Sequence, residues 1–137
     1  MSIDKNTKKI SNIASDVYRK LGSGHSESVY DKAMQVGLRL AGIKYESQKV
    51  VELTYKNYYV GEGFPDLIVR FPKVKIVVEL KAISGKIGVS EERQILNYME
   101  ILGIKKGLLS NFSQPRKAGT SKIELKAVVQ TSRNTSK

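Results

Sequence analysis

Two short stretches most constrain how this chain can fold: Gly63-Phe-Pro-Asp-Leu-Ile-Val-Arg70 and Ile76-Val-Val-Glu-Leu-Lys-Ala82. Each reads as a strand. Side chains alternate across a strand, so Glu79 and Lys81 share one face while Val78 and Leu80 point to the other. Phe71, Pro72 and Lys73 are available as the turn of a hairpin, which carries Asp66 towards Glu79 and Lys81. Two carboxylates and an amine then converge. Hard divalent cations take oxygen ligands, and a nearby ammonium offsets negative charge developing on phosphorus. The set suits a metal-dependent nuclease.

An internal control is available, because Glu-Leu-Lys-Ala occurs at 79–82 and again at 124–127. Glu124 follows a polar stretch with no strand-borne Asp at a hairpin's distance upstream. Only the first copy has a partner carboxylate. A Glu-x-Lys triplet alone is an ordinary solvated strand face.

A chain of 137 residues with 40% apolar composition fits one domain, expected over residues 1–129, with a polar basic tail over 130–137. No run of about 18 apolar residues is present to span a bilayer, so no membrane partner is expected. The N-terminus lacks the apolar stretch of a signal peptide, and an intracellular location, cytoplasmic or genome-associated, is expected. There is no Cys and a single His, His25, so thiolate and His-rich metal sites are excluded and any metal is oxygen-bound. Twenty-four basic against thirteen acidic residues give a formal charge of +11. From Lys105 onward, eight basic residues (Lys105, Lys106, Arg116, Lys117, Lys122, Lys126, Arg133 and Lys137) face one acid, Glu124, which is +7 of that charge. Such a balance favours a nucleic-acid partner with salt-sensitive binding. It says nothing about cleavage.

Hydrophobic spacing predicts a loose segment over residues 1–8, then a helix from Lys9 to Leu21 carrying Ile10, Ile13, Val17 and Leu21. A second helix is expected from Ser26 to about Leu40, with Val29, Ala33, Val36 and Leu40 on its apolar stripe. Val50–Tyr55, the turn Lys56-Asn57 and Tyr58–Val60 form a hairpin. Beyond the strands of Asp66 and Glu79, Ser90 with Glu91 and Glu92 predicts a capped helix start, with the end near Gly103. Gly107–Ser110 and Ile123–Val129 read as further strands. A helix joining two strands of one sheet implies a parallel pair, so the expected class is α/β, with a mixed sheet flanked by helices.

On the crossover helix, Gln94 and Tyr98 are four apart and share a face that could look towards the site, while Ile95, Met99 and Leu102 are available for the core. Glu27 begins the second helix beside Tyr30, where a carboxylate stabilises a helix N-terminus. His25 is either a base or phosphate contact, or a solvated loop side chain. Tyr55, Tyr58 and Tyr59 form cross-strand pairs within the hairpin or a contact surface for an assembly.

Gly24-His-Ser-Glu27-Ser-Val-Tyr30 resembles the signature of the GxxExxY protein family, a branch of the PD-(D/E)XK nuclease superfamily. The likeness continues through Gly61-Glu62, Asp66-Leu-Ile-Val69, Val78-Glu-Leu-Lys-Ala82, Gln94-Ile-Leu-Asn-Tyr98 and Gly107-Leu-Leu-Ser-Asn-Phe112, covering residues 10 to 112 in order. The resemblance implies a restriction-endonuclease-like core in which Asp66 and Glu79 bind Mg²⁺ or Mn²⁺. It also implies that Glu27 assists as a further ligand from its helix and that Lys81 orients the attacking water or stabilises developing charge. Gln94 and Tyr98 would line the site or contact the scissile strand, with Tyr30 counted among the substrate-binding residues. Pro65 stands where a small residue such as Ala is expected, and a bulge there would aim Asp66.

Two functional readings follow. The first is a metal-dependent endonuclease acting on DNA, for which a homodimer would help in cutting both strands. The second is a non-catalytic nucleic-acid-binding or packaging protein on a nuclease scaffold.

Overall fold

The computed structural model describes residues 4–115 and 121–131. The expected basic tail lies outside the described residues from position 132 on, as do Arg116 and Lys117. The chain opens with two helices, α1 (Lys5–Leu21) and α2 (Glu27–Leu40). Then come β1 (Lys44–Ser47), β2 (Val51–Tyr55), β3 (Tyr58–Gly63), β4 (Leu67–Arg70) and β5 (Lys75–Lys81). A crossover helix, α3 (Val89–Leu102), leads to β6 (Lys106–Asn111) and β7 (Glu124–Val129). Five strands form one sheet in the order β1-β4-β5-β6-β7, parallel only between β5 and β6, and β2 and β3 form a separate hairpin. The expected mixed α/β sheet flanked by helices is therefore present.

Alternation along the central strands divides the core into two layers. Leu67, Val69, Ile76, Val78, Leu80 and Leu108 face α1 and α2, where they meet Ile10, Ala14, Val17, Tyr30, Met34 and Leu38. Ile68, Val77 and Leu109 face the other way, onto Ile95, Tyr98 and Met99 of α3 and Val51 of the hairpin. Ile95, Met99 and Leu102 thus take the core positions read from the sequence. No helix among the described residues is long and apolar enough to cross a membrane.

Several boundaries and faces differ from expectation. α1 starts at Lys5 because Asp4 caps it: the Asp4 carboxylate accepts from Thr7 N–H at 3.0 Å and from the Thr7 hydroxyl at 2.9 Å. The buried stripe of α2 is Tyr30, Met34 and Leu38, while Val29, Val36 and Leu40 are exposed. The reason is the approach of α1 at Gly37, where an added Cβ would stand 2.6 Å from Ile13 Cγ2. That contact turns the helix so that the Tyr30 side faces the sheet. α3 is capped at Gly88 rather than Ser90, with Glu91 Oε1 accepting from Gly88 N–H at 2.7 Å. β1 had no counterpart in the sequence reading; it is a short sheet-edge strand with no buried residue.

Candidate active site

Antiparallel pairing of β4 and β5 sets Leu67 opposite Val78, so the next step of the register brings Asp66 beside Glu79. The two residues are tied by backbone hydrogen bonds. Asp66 N–H donates to Glu79 Oε2 at 2.9 Å, and Leu80 N–H donates to Asp66 Oδ2 at 2.8 Å. Each carboxylate thereby commits one oxygen to the partner strand. The other oxygens, Asp66 Oδ1 and Glu79 Oε1, accept no hydrogen bond among the described residues. No bulge interrupts the β4–β5 ladder. Pro65 instead occupies the short connection by which the chain leaves the hairpin for the main sheet, where its missing N–H is not needed by a ladder.

Glu79 is 3% exposed and Asp66 is half-buried. Burial disfavours the charged form, and two adjacent carboxylates disfavour it further. Burial first and the Asp66 charge second push Glu79 up to about 8. Burial likewise raises Asp66 to about 6, opposed by the Leu80 N–H and reinforced by the charges of Asp31 and Glu27. The pair is short of positive charge.

Lys81, two residues beyond Glu79 on the same strand face, donates from Nζ to Gln94 Oε1 at 3.0 Å. Tyr98, one turn further along α3, is 9% exposed and its hydroxyl accepts from Phe64 N–H at 3.3 Å. Burial, followed by the Glu79 charge, raises its pKa and keeps the phenol protonated. Gln94 and Tyr98 therefore do look towards the site. Gly63 makes room for the Tyr98 ring, since a Cβ there would lie 2.6 Å from Cε1 and 2.8 Å from the hydroxyl oxygen.

Glu27 and Asp31 approach from α2, across a polar cleft of about 460 Å³ lined by both of them together with Lys32, Gln35, Gln48 and Asp66. Glu27 is exposed and acts on Asp66 by charge. Among the described residues no group of three or more acidic or imidazole side chains gathers tightly enough to hold an ion, so Glu27 is not drawn into a three-carboxylate cluster. Asp31 escaped sequence reasoning. Its spacing of four from Glu27 on one helical face was the available signal. Gln35 Nε2 donates to Asp31 Oδ1 at 2.9 Å and holds the side chain.

Tyr30 requires a correction. It is fully buried, its ring stacks on Phe112 at 4.4 Å, and its hydroxyl donates to Gly22 O at 2.6 Å. It anchors the α1–α2 connection in the core, because a large apolar ring at this turn of α2 faces the sheet, and it is not exposed to a substrate. His25 also has a local role, with Nε2 3.0 Å from Leu21 O at the end of α1.

The second Glu-Leu-Lys-Ala has a different task. Glu124 Oε1 and Oε2 accept from Ile87 N–H at 3.0 and 3.1 Å. Buried Asn111 accepts from Ile83 N–H at 3.0 Å and donates at 3.3 Å to both Gly85 O and Glu124 Oε1. Together they clamp the loop that joins Lys81 to α3.

The donor set fits a divalent ion. Mg²⁺ is characteristically held by one or two carboxylates, with water and substrate phosphate completing its shell. Two adjacent carboxylates, one buried and one half-buried, with a free oxygen each match that requirement, and the surplus negative charge is what a cation relieves.

A family model described as the PD-(D/E)XK nuclease superfamily matches residues 4–124. No curated protein matches the chain. Among solved structures, one titled "Crystal structure of SSO0001" is similar in fold, with a TM-score of 0.57 and 16% identity. The alignment covers 77% of this chain and 50% of that one, so the chain spans about half the length of that protein.

Proposed function

The chain belongs to the PD-(D/E)XK nuclease superfamily, and from that premise we propose that it is a metal-dependent nuclease of the GxxExxY branch, hydrolysing DNA phosphodiester bonds. The observation that supports this reading most directly is the reciprocal hydrogen-bonding of Asp66 and Glu79, which leaves one free oxygen on each carboxylate.

In this reading Asp66 Oδ1 and Glu79 Oε1 hold Mg²⁺ or Mn²⁺. The ion, when bound, activates water and neutralises charge on the phosphoryl oxygens. Fixing one oxygen of each carboxylate by a backbone N–H leaves the other oxygen of each available to the cation. Lys81, steadied by Gln94, places an ammonium where negative charge grows in the transition state. Tyr98 remains a neutral phenol beside Glu79. Glu27 and Asp31 line the cleft next to Asp66, where they can receive ion-bound water or orient the attacking one. The net charge of +11 draws the polyanion to this acidic centre.

The test is nicking of supercoiled plasmid and of labelled single-stranded DNA in Mg²⁺, Mn²⁺ or EDTA, with Glu79→Ala alongside. Metal-dependent cleavage that disappears in the variant supports the proposal. Salt-sensitive binding with no cleavage in any metal rejects it in favour of a non-catalytic binding protein on the same scaffold.

A further inference from the structure

The β2–β3 hairpin lies outside the five-stranded sheet, and its far end is uncovered. Val51, Leu53 and Tyr55 share one face of β2 by strand alternation. The lower part of that face is core, since Val51 and Leu53 pack with Ile95, Tyr98 and Met99. Above it, Tyr55 stands opposite Tyr58, and the two are 63% and 76% exposed. Lys56 and Asn57 close the strands with positive φ of 50° and 70°, a rigid two-residue turn. Lys56 Nζ lies 5.4 Å from the centroid of the Tyr55 ring. Two adjacent phenol rings and a cation thus share the tip.

We propose that the Tyr55–Tyr58 face of this hairpin is a stacking platform for unpaired bases of a nucleic-acid substrate. The proposal deepens the nuclease reading and rests on it for the class of partner. Three observations select this occupant. The hairpin leads into the site across one bulge at Leu53/Thr54: Gly63 at the end of β3 underlies Tyr98, Phe64 N–H donates to the Tyr98 hydroxyl, and Asp66 is two residues further on. A strand entering the site past Phe64 can extend along the hairpin to its tip, which lies five residues of β3 beyond Gly63, roughly 17 Å at the usual rise of a strand. The hairpin's charges are also segregated by face. Glu52 and Glu62 stand opposite each other across the strands, with Tyr59 beside them, on the face away from Tyr55 and Tyr58. Phosphates are repelled there, and the tyrosine face with its lysine is the one compatible with a polyanion.

The third observation argues against a second copy of the chain. A formal charge of +11 on 137 residues opposes self-association and favours an anionic partner. The exposed rings are tyrosines, whose flat amphipathic faces accept any base, since stacking does not depend on base identity. A preference for single-stranded, frayed or branched DNA over continuous duplex follows.

The experiment measures binding of the full chain in EDTA, which separates recognition from cleavage. The probes are a fluorescein-labelled single strand, the matching duplex, and the single strand carrying 2-aminopurine. Tyr55→Ala/Tyr58→Ala is expected to weaken single-strand binding by about tenfold or more, the usual loss when a stacking ring is removed. Tyr55→Phe/Tyr58→Phe, which keeps the rings, is expected to bind within about twofold of the parent. Parent protein should quench 2-aminopurine, and the alanine variant should not. Unchanged single-strand affinity in the alanine variant overturns the proposal. So does a parent dimer in light scattering that becomes a monomer in that variant, because the face is then an interface between copies. Plasmid nicking reports separately on the nuclease reading: nicking together with an unaffected alanine variant rejects the platform alone.

Discussion

Asp66 and Glu79 hold each other in place through main-chain donors: the Asp66 N–H bonds Glu79 Oε2, and Glu79's neighbour Leu80 bonds Asp66 Oδ2. The register that pairs Leu67 with Val78 makes this geometry a property of the sheet rather than of flexible side chains. Its cost is two acidic groups side by side, Glu79 buried and Asp66 half-buried at the edge of the cleft.

That cost should be visible as pH-dependent stability. Both carboxylates have folded-state pKa values raised above their ordinary ones, towards about 8 for Glu79 and about 6 for Asp66. The folded state then binds more protons than the unfolded chain between about pH 4 and pH 8, so stability falls as pH rises through that window. Thermal unfolding in EDTA should show Tm declining from pH 5 to pH 8.5. In Glu79→Gln the decline should be clearly shallower, because the amide keeps an acceptor for Asp66 N–H without the charge. A parallel profile for the two proteins would refute the assignment.

Divalent cations should reverse the trend. Binding must displace protons from the pair, so stabilisation by Mg²⁺ or Mn²⁺ should grow as pH rises from 6 to 8. At a cation concentration a hundred times Kd, the gain is about 2.7 kcal/mol. Asp66→Asn should lose most of this protection, and titration calorimetry with the cation alone checks it without a nucleic-acid substrate.

Lys81 should act on the rate more than on binding. Removing its ammonium in Lys81→Met is expected to lower cleavage by about 10²–10³-fold, the usual effect of losing one preorganised charge-stabilising group. DNA affinity in EDTA should change little, since one charge in twenty-four is removed. Lys81→Arg should rescue poorly, because a larger planar guanidinium spreads its charge and does not replace a compact ammonium point charge at this position. A strong loss of binding with a normal single-turnover rate would contradict this role.

Gly63 is required by the Tyr98 ring. Gly63→Ala places a Cβ 2.6 Å from Tyr98 Cε1, and overpacking of that kind costs about 1–3 kcal/mol. Combining it with Tyr98→Ala should cost less than the sum of the two single changes, because the clash disappears with the ring. Chemical denaturation of the four proteins measures the coupling.

Glu124 and Asn111 should matter to the loop after Lys81. Asn111→Ala strands Ile83 N–H and Gly85 O, a loss of about 1–3 kcal/mol. Glu124→Ala frees Ile87 N–H, while Glu124→Gln retains an acceptor for it. Hydrogen exchange should quicken at Ile83 and Ile87 in the respective alanine variants, with the β4–β5 amides unaffected.

The amino-acid sequence by itself determined the features that depend on local periodicity. Alternation in β5 put Glu79 and Lys81 on one face, the Lys56-Asn57 turn closed the hairpin, and the helix between β5 and β6 dictated a parallel pair. The meeting of Asp66 with Glu79 was legible for the same reason, since a short turn between two strands leaves little choice of partner. Tertiary structure decided what depends on how elements rotate and approach. The contact of Ile13 with Gly37 turned α2 so that Tyr30 entered the core and Val29, Val36 and Leu40 remained outside. Asp31 became part of the cleft only because that helix face lies across from Asp66. Glu124, chemically identical to Glu79 in its motif, became a loop clamp because β7 pairs with β6 at Asn111. A carboxylate's role is set by which donors and charges surround it, and those neighbours come from distant parts of the chain.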